Sequence, residues 1–196
     1  MKKKVILSLV TVAMVAALAV AGTMAWFTGS ANVTNVFKAG SVAVEIYENN
    51  EGPSSGNMDF DSDFVPGDTQ PKEVTFKSTG NSDSYLRVKV TPSWTAADGQ
   101  TVLSADNVGI DFNTGDWVKG IVNDEFDGYY YYDGILETDG FTSALFSNVT
   151  FTPGDNDNPY QGATLTIQIE VEAIQAENGA AANAWAGFPF TEAEEV

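Results

Sequence analysis

TLTIQIEVEAIQ, residues 164–175, is the stretch of sequence that decides the fold class. Its apolar residues stand at every second position and alternate with threonine, glutamine and glutamate: Leu165, Ile167, Ile169, Val171 and Ala173. A period of two is typical of a β-strand that buries one face and exposes the other, whereas an amphipathic helix repeats every three or four residues. The stretch therefore predicts a long, half-buried strand.

The same alternation recurs along the chain, and turns rich in glycine, proline, asparagine and aspartate separate its occurrences. Pro66-Gly67-Asp68 and Pro153-Gly154-Asp155 are two such turns. Further strands are predicted at residues 41–47, 73–78, 85–91, 108–112, 117–122, 129–136 and 144–151. Many short strands joined in this way favour an all-β, antiparallel sandwich, jelly roll or barrel.

Two segments do not follow this pattern. Residues 49–56 are a polar stretch of glycine, serine and proline, which predicts a loop. Residues 179–196 form an acidic, alanine-rich tail that contains Trp185, Phe188 and Phe190. We expect the tail to form a short helix that docks its aromatic side chains on the sandwich.

The N-terminus has the organisation of an export signal. Lys2, Lys3 and Lys4 precede a nearly continuous apolar run, residues 5–21, and Ala25 provides a small residue for cleavage before Trp26. The alternative is a transmembrane anchor, since the run approaches the length of about 20 residues that spans a bilayer. The run contains polar residues and no basic cluster follows it, so the sequence favours a signal peptide over residues 1–25 and a secreted, extracellular protein.

Composition limits what the exported chain can do. Of nine basic residues three precede the cleavage site, so six remain against 27 acidic residues and the net charge becomes −21. Such a chain repels nucleic acid and anionic surfaces. The sequence has no cysteine and no histidine, which excludes disulfides, histidine-based catalytic triads and the HExxH zinc site.

The segment after the cleavage site is predicted to be a strand, and such a strand must pair with the edge of a sheet. One parity carries its apolar and small residues, interrupted by Asn35: Phe27, Gly29, Ala31, Val33 and Phe37. A terminal strand whose own domain has no place for it fills the edge of a neighbour, which is donor-strand addition. The alternative is that residues 26–37 are the first strand of their own sandwich, as most terminal strands are.

Motifs at both ends and in one internal block resemble the TasA/camelysin (CalY) family of Gram-positive bacteria, whose signal peptides are cut by a dedicated SipW-type signal peptidase. Besides the lysine-rich start, the matching segments are residues 22–28, 37–41, 64–68, 73–77 followed by 79–81, and 160–162 before 167–174. Within residues 91–158 we identify no individual motif of the family. The resemblance implies a jelly-roll-like β-sandwich that polymerises with identical subunits into biofilm-matrix fibres, with the N-terminal strand donated to the next subunit.

On this interpretation the chain has four regions: the signal peptide, a donor-strand arm at 26–40, a jelly-roll domain at 41–178 and the tail. The partners it implies are identical subunits and the signal peptidase, with the membrane involved only before cleavage. The alternative function is a monomeric cell-surface module that binds glycan or calcium.

Two other patterns suggest ligand sites. Asp59, Asp61 and Asp63 alternate as the first ligands of a calcium loop do, but Phe64 and Gln70 stand where the turn glycine and the bidentate glutamate belong. The interpretation is therefore a solvated acidic loop with no cofactor, and calcium binding is the alternative. The run Tyr129–Tyr132 suits sugar stacking, but as a strand it is expected to bury two rings and expose two.

Some relatives in the family are described as metallopeptidases. The chain offers no imidazole for zinc and no nucleophile with a base partner that can be named. We therefore predict that it is not an enzyme.

Overall fold

The computed structural model describes residues 28–32, 35–36, 42–60, 64–154 and 157–190. In chain order the strands are β1 (Thr28–Asn32), β2 (Asn35–Val36), β3 (Val44–Glu48), β4 (Glu51–Ser54), β5 (Asn57–Asp59), β6 (Thr69–Pro71), β7 (Val74–Ser78), β8 (Ser84–Thr95), β9 (Val102–Leu103), β10 (Val108–Phe112), β11 (Trp117–Val122), β12 (Glu125–Tyr132), β13 (Phe146–Phe151) and β14 (Thr164–Gln175). A 3-10 turn (Asn158–Tyr160) and one short helix, α1 (Ala180–Ala184), complete the elements. The predicted all-β fold is confirmed.

The first sheet is antiparallel and has the order β11-β12-β8-β14-β1-β2. Two short strands also join it, because β5 pairs with β14 and β9 pairs with β8. At its centre, β8 and β14 are in register over twelve residue pairs. This ladder is the longest in the fold, as the alternation of residues 164–175 predicts.

The second layer consists of two ladders, β10-β13-β6 and β4-β3-β7. Backbone hydrogen bonds join them where the chain approaches β13: the Leu145 N–H donates to the Val74 carbonyl (2.8 Å) and the Thr142 N–H to the Phe76 carbonyl (2.9 Å). The chain crosses repeatedly between the layers, from β7 to β8, from β8 and β9 to β10, and from β13 to β14. This alternation gives the sandwich its jelly-roll-like arrangement.

The main core lies between the two layers and is formed by the inward faces of both. Its largest fully buried side chains include Trp94, Trp117, Phe76, Phe146, Phe151 and Ile167. Each side chain of this kind contributes about 1.5–3 kcal/mol when it is fully buried. The core therefore stabilises the sandwich without disulfides.

Two expectations about local structure are wrong. Residues 49–56 are not simply a loop, because β4 forms within them and pairs back on β3. The tyrosine run buries two rings, as expected, but they belong to the neighbours Tyr130 and Tyr131, and Tyr129 and Tyr132 are half-buried rather than exposed. Successive side chains of a strand point to opposite faces, so both faces of β12 must be covered. Tyr130 lies in the main core and Tyr131 in a second core on the outer face of the first sheet.

Candidate assembly edge on the last strand

The two edges of β14 are occupied in different ways. One edge pairs with β8 along its whole length. The opposite edge, called the shared edge below, is divided between β5 at Thr166–Gln168 and β1 at residues 171–174. Because main-chain hydrogen bonding does not depend on side chains, an edge filled by short, separate segments is where a strand from elsewhere can be seated.

The pairing of β1 with the shared edge has a definite register. Thr28 lies opposite Ile174, and the ladder continues to Ala31 opposite Val171. After Asn32 the chain reverses, because Asn35 of β2 pairs with Asn32. The described residues of the predicted arm, 28–32 and 35–36, are thus two antiparallel strands on the edge of their own sheet.

The register agrees with the predicted parity of the arm. Gly29 and Ala31 lie opposite Ala173 and Val171, whose side chains are buried in the main core. Thr28 and Ser30 take the intervening positions. The small-residue parity of the arm therefore coincides with the core-facing parity of β14.

On the outer face of the first sheet, a cluster of polar groups lies beside this edge. Arg87 of β8 is the register partner of Glu172 of β14, and Glu172 is in turn the partner of Ser30. The Arg87 Nε and Nη2 groups donate to Glu172 Oε2 at 2.9 and 2.7 Å. Its guanidinium lies 4.1 Å from the ring centroid of Tyr129 and 4.8 Å from that of Trp185. This geometry combines an ion pair with two cation–π contacts.

Neighbouring strands extend the network. Arg87 Nη1 donates to the Tyr131 hydroxyl (3.4 Å), which donates to Asp127 Oδ2 (3.0 Å). Burial lowers the pKa of Arg87, but its hydrogen bonds to Tyr131 and Glu172 outweigh burial and the net pKa is raised. Burial raises the pKa of Tyr131 to about 12. Arg87 is therefore charged and Tyr131 neutral at physiological pH, and the cluster holds the outer face of three strands together.

The tail covers this face, as the sequence predicts. Trp185 and Phe188 pack edge-to-face on Tyr131, with ring centroids 5.9 and 6.1 Å apart, and Phe188 also contacts Tyr85 at 4.9 Å. With them lie Ile174, which is the register partner of Thr28, and the first two alanines of α1. The tail thus packs on the segment of β14 whose edge β1 occupies.

The remaining predicted site residues are only partly within the described part of the chain. Ala25, Trp26, Phe27, Val33 and Phe37 lie outside it, as do Asp61 and Asp63. Asp59 is the last residue of β5, paired with Thr166. The structure therefore does not bring the three aspartates together as a described site.

The described residues hold no group of three histidine, cysteine, aspartate or glutamate side chains that could bind a metal ion. Within the same residues no helix is long and apolar enough to cross a membrane. The predictions that concern calcium, the signal peptide and cleavage remain predictions.

Sequence reasoning missed three features of this site. It did not identify Arg87 and Glu172 as partners, although both stand at outward positions of predicted strands. It did not assign Asp127 to the outer cluster, and it did not recognise that β5 shares the edge of β14 with the arm. The only signal for the ion pair was a lone arginine in a chain with a large acidic excess, which does not specify a partner.

Comparison with known families gives a match over most of the chain. Residues 1–137 of the 196 match the family model described as camelysin metallo-endopeptidase. The match includes β1, β5 and β8 and ends before β13 and β14. No curated protein matches the chain.

Proposed function

The chain belongs to the camelysin family, and from this membership we propose that it is a secreted structural subunit of an extracellular fibre. Subunits assemble by donating the N-terminal strand to the shared edge of a neighbour. The signal peptide is removed after Ala25 by a SipW-type signal peptidase, and the fibre contributes to the biofilm matrix or the cell surface.

The observation that supports the proposal is the position of β1 on the shared edge of β14. This strand pairs with β14 through four register pairs and lies in line with β5 on the same edge. The β1 of a second copy presents the same backbone groups to that edge, so exchange replaces each contact with an identical one. Exchange of identical elements between protomers is a low-cost route to assembly, and a head-to-tail contact that does not close forms a filament.

The connection after β1 supports exchange. Only two residues separate β1 from β2, and β2 contributes just two register pairs to the edge of the sheet. Few main-chain contacts therefore oppose release of the arm. The arm can leave its own sheet at small cost to the remaining sandwich.

A second function is favoured by the same strand in its present position. In this position β1 pairs with the edge of its own sheet, an arrangement that needs no second copy. A monomeric surface module that binds glycan or calcium is the function that this arrangement supports if the arm is never released.

The family description also names a metallo-endopeptidase. We propose that this chain has no such activity, since its sequence lacks histidine and cysteine and its described residues hold no metal-binding group. Chelator-sensitive cleavage of an unstructured substrate by the purified protein would overturn this part of the proposal.

The experiment that tests assembly is electron microscopy of purified residues 26–196 beside residues 41–196, which lack the arm. The proposal expects filaments from the longer chain and folded monomers from the shorter one. Mixing the two at equal concentration is the matched control: the shorter chain offers an acceptor edge but no donor strand, so it should cap growing ends and shorten filaments. Folded monomers from both chains, at all concentrations and salt levels, would support the monomeric module.

A further inference from the structure

We infer that β5 is a stop that fixes the length and register of the donated strand, so that the strand pairs with the shared edge only as far as Asn32. The inference rests on the proposed function, because it concerns how the acceptor edge is bounded. It assigns to Gly56 and to Asn57–Asp59 a role in assembly that their sequence does not suggest.

The two registers on the shared edge meet between two adjacent residues of β14, Ile169 and Glu170. In the register of β1, the position after Ala31 places Asn32 opposite Glu170. In the register of β5, Gly56 lies opposite Ile169, and the Ile169 N–H donates to the Gly56 carbonyl at 2.8 Å. A strand that continued straight beyond Asn32 would therefore have to occupy the backbone positions that begin with Gly56.

Displacement of β5 by the arm is unfavourable because β5 places an apolar side chain in the core and the arm would place a polar one there. Met58 of β5 lies opposite Ile167 and is 1 % exposed. Continued in its own register, the arm would place Asn35 opposite Ile167 instead. Burying an amide without hydrogen-bond partners costs about 1–3 kcal/mol by mutational measures, and the buried methionine would be lost as well.

Contacts on both sides of the junction keep β5 in place. Its three register pairs with β14 are preceded by the Ile169–Gly56 hydrogen bond. The Gly56 N–H donates to Ser54 Oγ at 3.3 Å, and Ser54 belongs to β4, which pairs with β3 of the second layer. β5 is therefore tied to both layers.

The stop has a direct consequence for assembly. The donated strand can use only the β14 positions from Glu170, opposite Asn32, to Ile174, and a shift toward β5 would make it collide with Gly56. A shift by one residue would also move Gly29 and Ala31 away from the core-facing parity of β14, since the side-chain period of a strand is two. The donated strand therefore pairs with the shared edge in a single register and over a short length. Such pairing favours filament contacts that are uniform and reversible.

Disulfide trapping tests the stop, because the chain has no cysteine and each engineered pair is unambiguous. Ala31→Cys with Val171→Cys reports the inferred register, and Asn35→Cys with Ile167→Cys reports a strand that runs on over β5. Directly opposed residues of antiparallel strands have Cα atoms about 4.5–5.5 Å apart, within the reach of a disulfide. Circular dichroism of the reduced variants checks that each of them folds.

Each pair is made in two ways: both cysteines in one chain, and one cysteine in each of two chains that are mixed before assembly. We expect the 31–171 pair to cross-link within single chains and, in mixed filaments, to give covalent dimers on non-reducing gels. The 35–167 pair should cross-link in neither arrangement.

The outcomes separate the two proposals. A 35–167 cross-link in folded protein overturns the stop while leaving donation intact. If the 31–171 pair cross-links within single chains but never between chains, strand donation is overturned. The stop then has no role in assembly and is overturned as well. Absence of the 31–171 cross-link in both arrangements overturns the register itself.

Discussion

Arg87 and Glu172 face each other across β8 and β14 and form a salt bridge of 2.7 Å on the outer face of the first sheet. Glu172 is at the same time the residue opposite Ser30 of β1, and Tyr131 is the residue opposite Arg87 on β12. One row of residues thus connects the strand that we propose is donated with the surface on which the tail docks. The state of the tail is therefore expected to affect the acceptor edge.

The first prediction concerns the ion pair itself. Arg87→Met keeps much of the side-chain stem but removes the charge and both cation–π contacts, and leaves Glu172 and the Tyr131 hydroxyl with fewer partners. We expect the free energy of unfolding to fall by about 1–3 kcal/mol, the range for a hydrogen-bonded charge that is partly buried. Urea unfolding followed by circular dichroism measures it. Lys89→Met is the matched control, since Lys89 is exposed on the same strand and the change should cost less than about 0.5 kcal/mol.

The second prediction concerns the tail. Trp185 is 4 % exposed and contacts Tyr131, Phe188 and Arg87. Trp185→Ala should lower the free energy of unfolding by about 3–5 kcal/mol if the tail stays docked, and by less if it detaches. Binding of a fluorescent apolar dye distinguishes the two cases, because a detached tail exposes Tyr85 and Ile174. Val102→Ala, at a residue 74 % exposed, is the control; equal stability of both variants would show that the tail does not contribute to the fold.

The third prediction is a loss of stability at high pH. Burial raises the pKa of Tyr131 to about 12, above the value of about 10 for an exposed tyrosine. The contribution of this group to stability is therefore complete below pH about 10 and is lost as the pH rises through about 12. Thermal unfolding between these limits should show a smaller pH dependence in Tyr131→Phe than in the parent protein.

Tyr160→Phe serves as the control for that measurement. It removes a hydroxyl from a side chain that packs against the main core, while Tyr131 remains in the second core, so the alkaline loss of stability should persist. An unchanged pH dependence in Tyr131→Phe would contradict the assignment. The pKa values of Tyr129 and Tyr130 are also raised, mainly by burial, so a residual alkaline loss is expected in every variant.

The fourth prediction concerns ionic strength. From residue 26 onward the chain has 27 acidic residues against six basic residues, so copies of it repel one another. Because the Debye length shortens from about 30 Å at 0.01 M to about 8 Å at 0.15 M salt, assembly should accelerate strongly over that range. Light scattering of residues 26–196 measures the rate, and residues 41–196 should give no scattering at any salt concentration. If assembly instead slows as salt is added, attraction between opposite charges drives the contact. Strand pairing that has to overcome charge repulsion would then be the wrong explanation.

The extent to which sequence predicted the fold varies between elements. The bounds of β10, β11 and β14 coincide with their predicted ranges, because each is a short run rich in β-branched and aromatic residues or an alternating stretch with turn residues nearby. By contrast, β4 and β5 lie in polar sequence of low apolar content, and they form because β3 and β14 offer edges to them. Local pattern contains no information about such an edge.

The sequence likewise predicted some relationships within the candidate site and missed others. The parity of Gly29 and Ala31 was readable from alternation and agrees with their register on β14. Arg87 and Glu172 are 85 residues apart in sequence, and Tyr131 is buried only because a tail more than 50 residues later covers it. Neither relationship leaves a periodic signal along the chain.

The sequence by itself determined the β class, the long half-buried strand at residues 164–175, the absence of disulfides and the acidic charge, because each depends on composition or on the two-residue period of a strand. Only the tertiary structure decided which strand fills each edge of β14, and that β5 meets the arm between Ile169 and Glu170. The physical reason is that main-chain hydrogen bonds between strands are the same for every sequence, so pairing is selected by packing between segments that are distant along the chain.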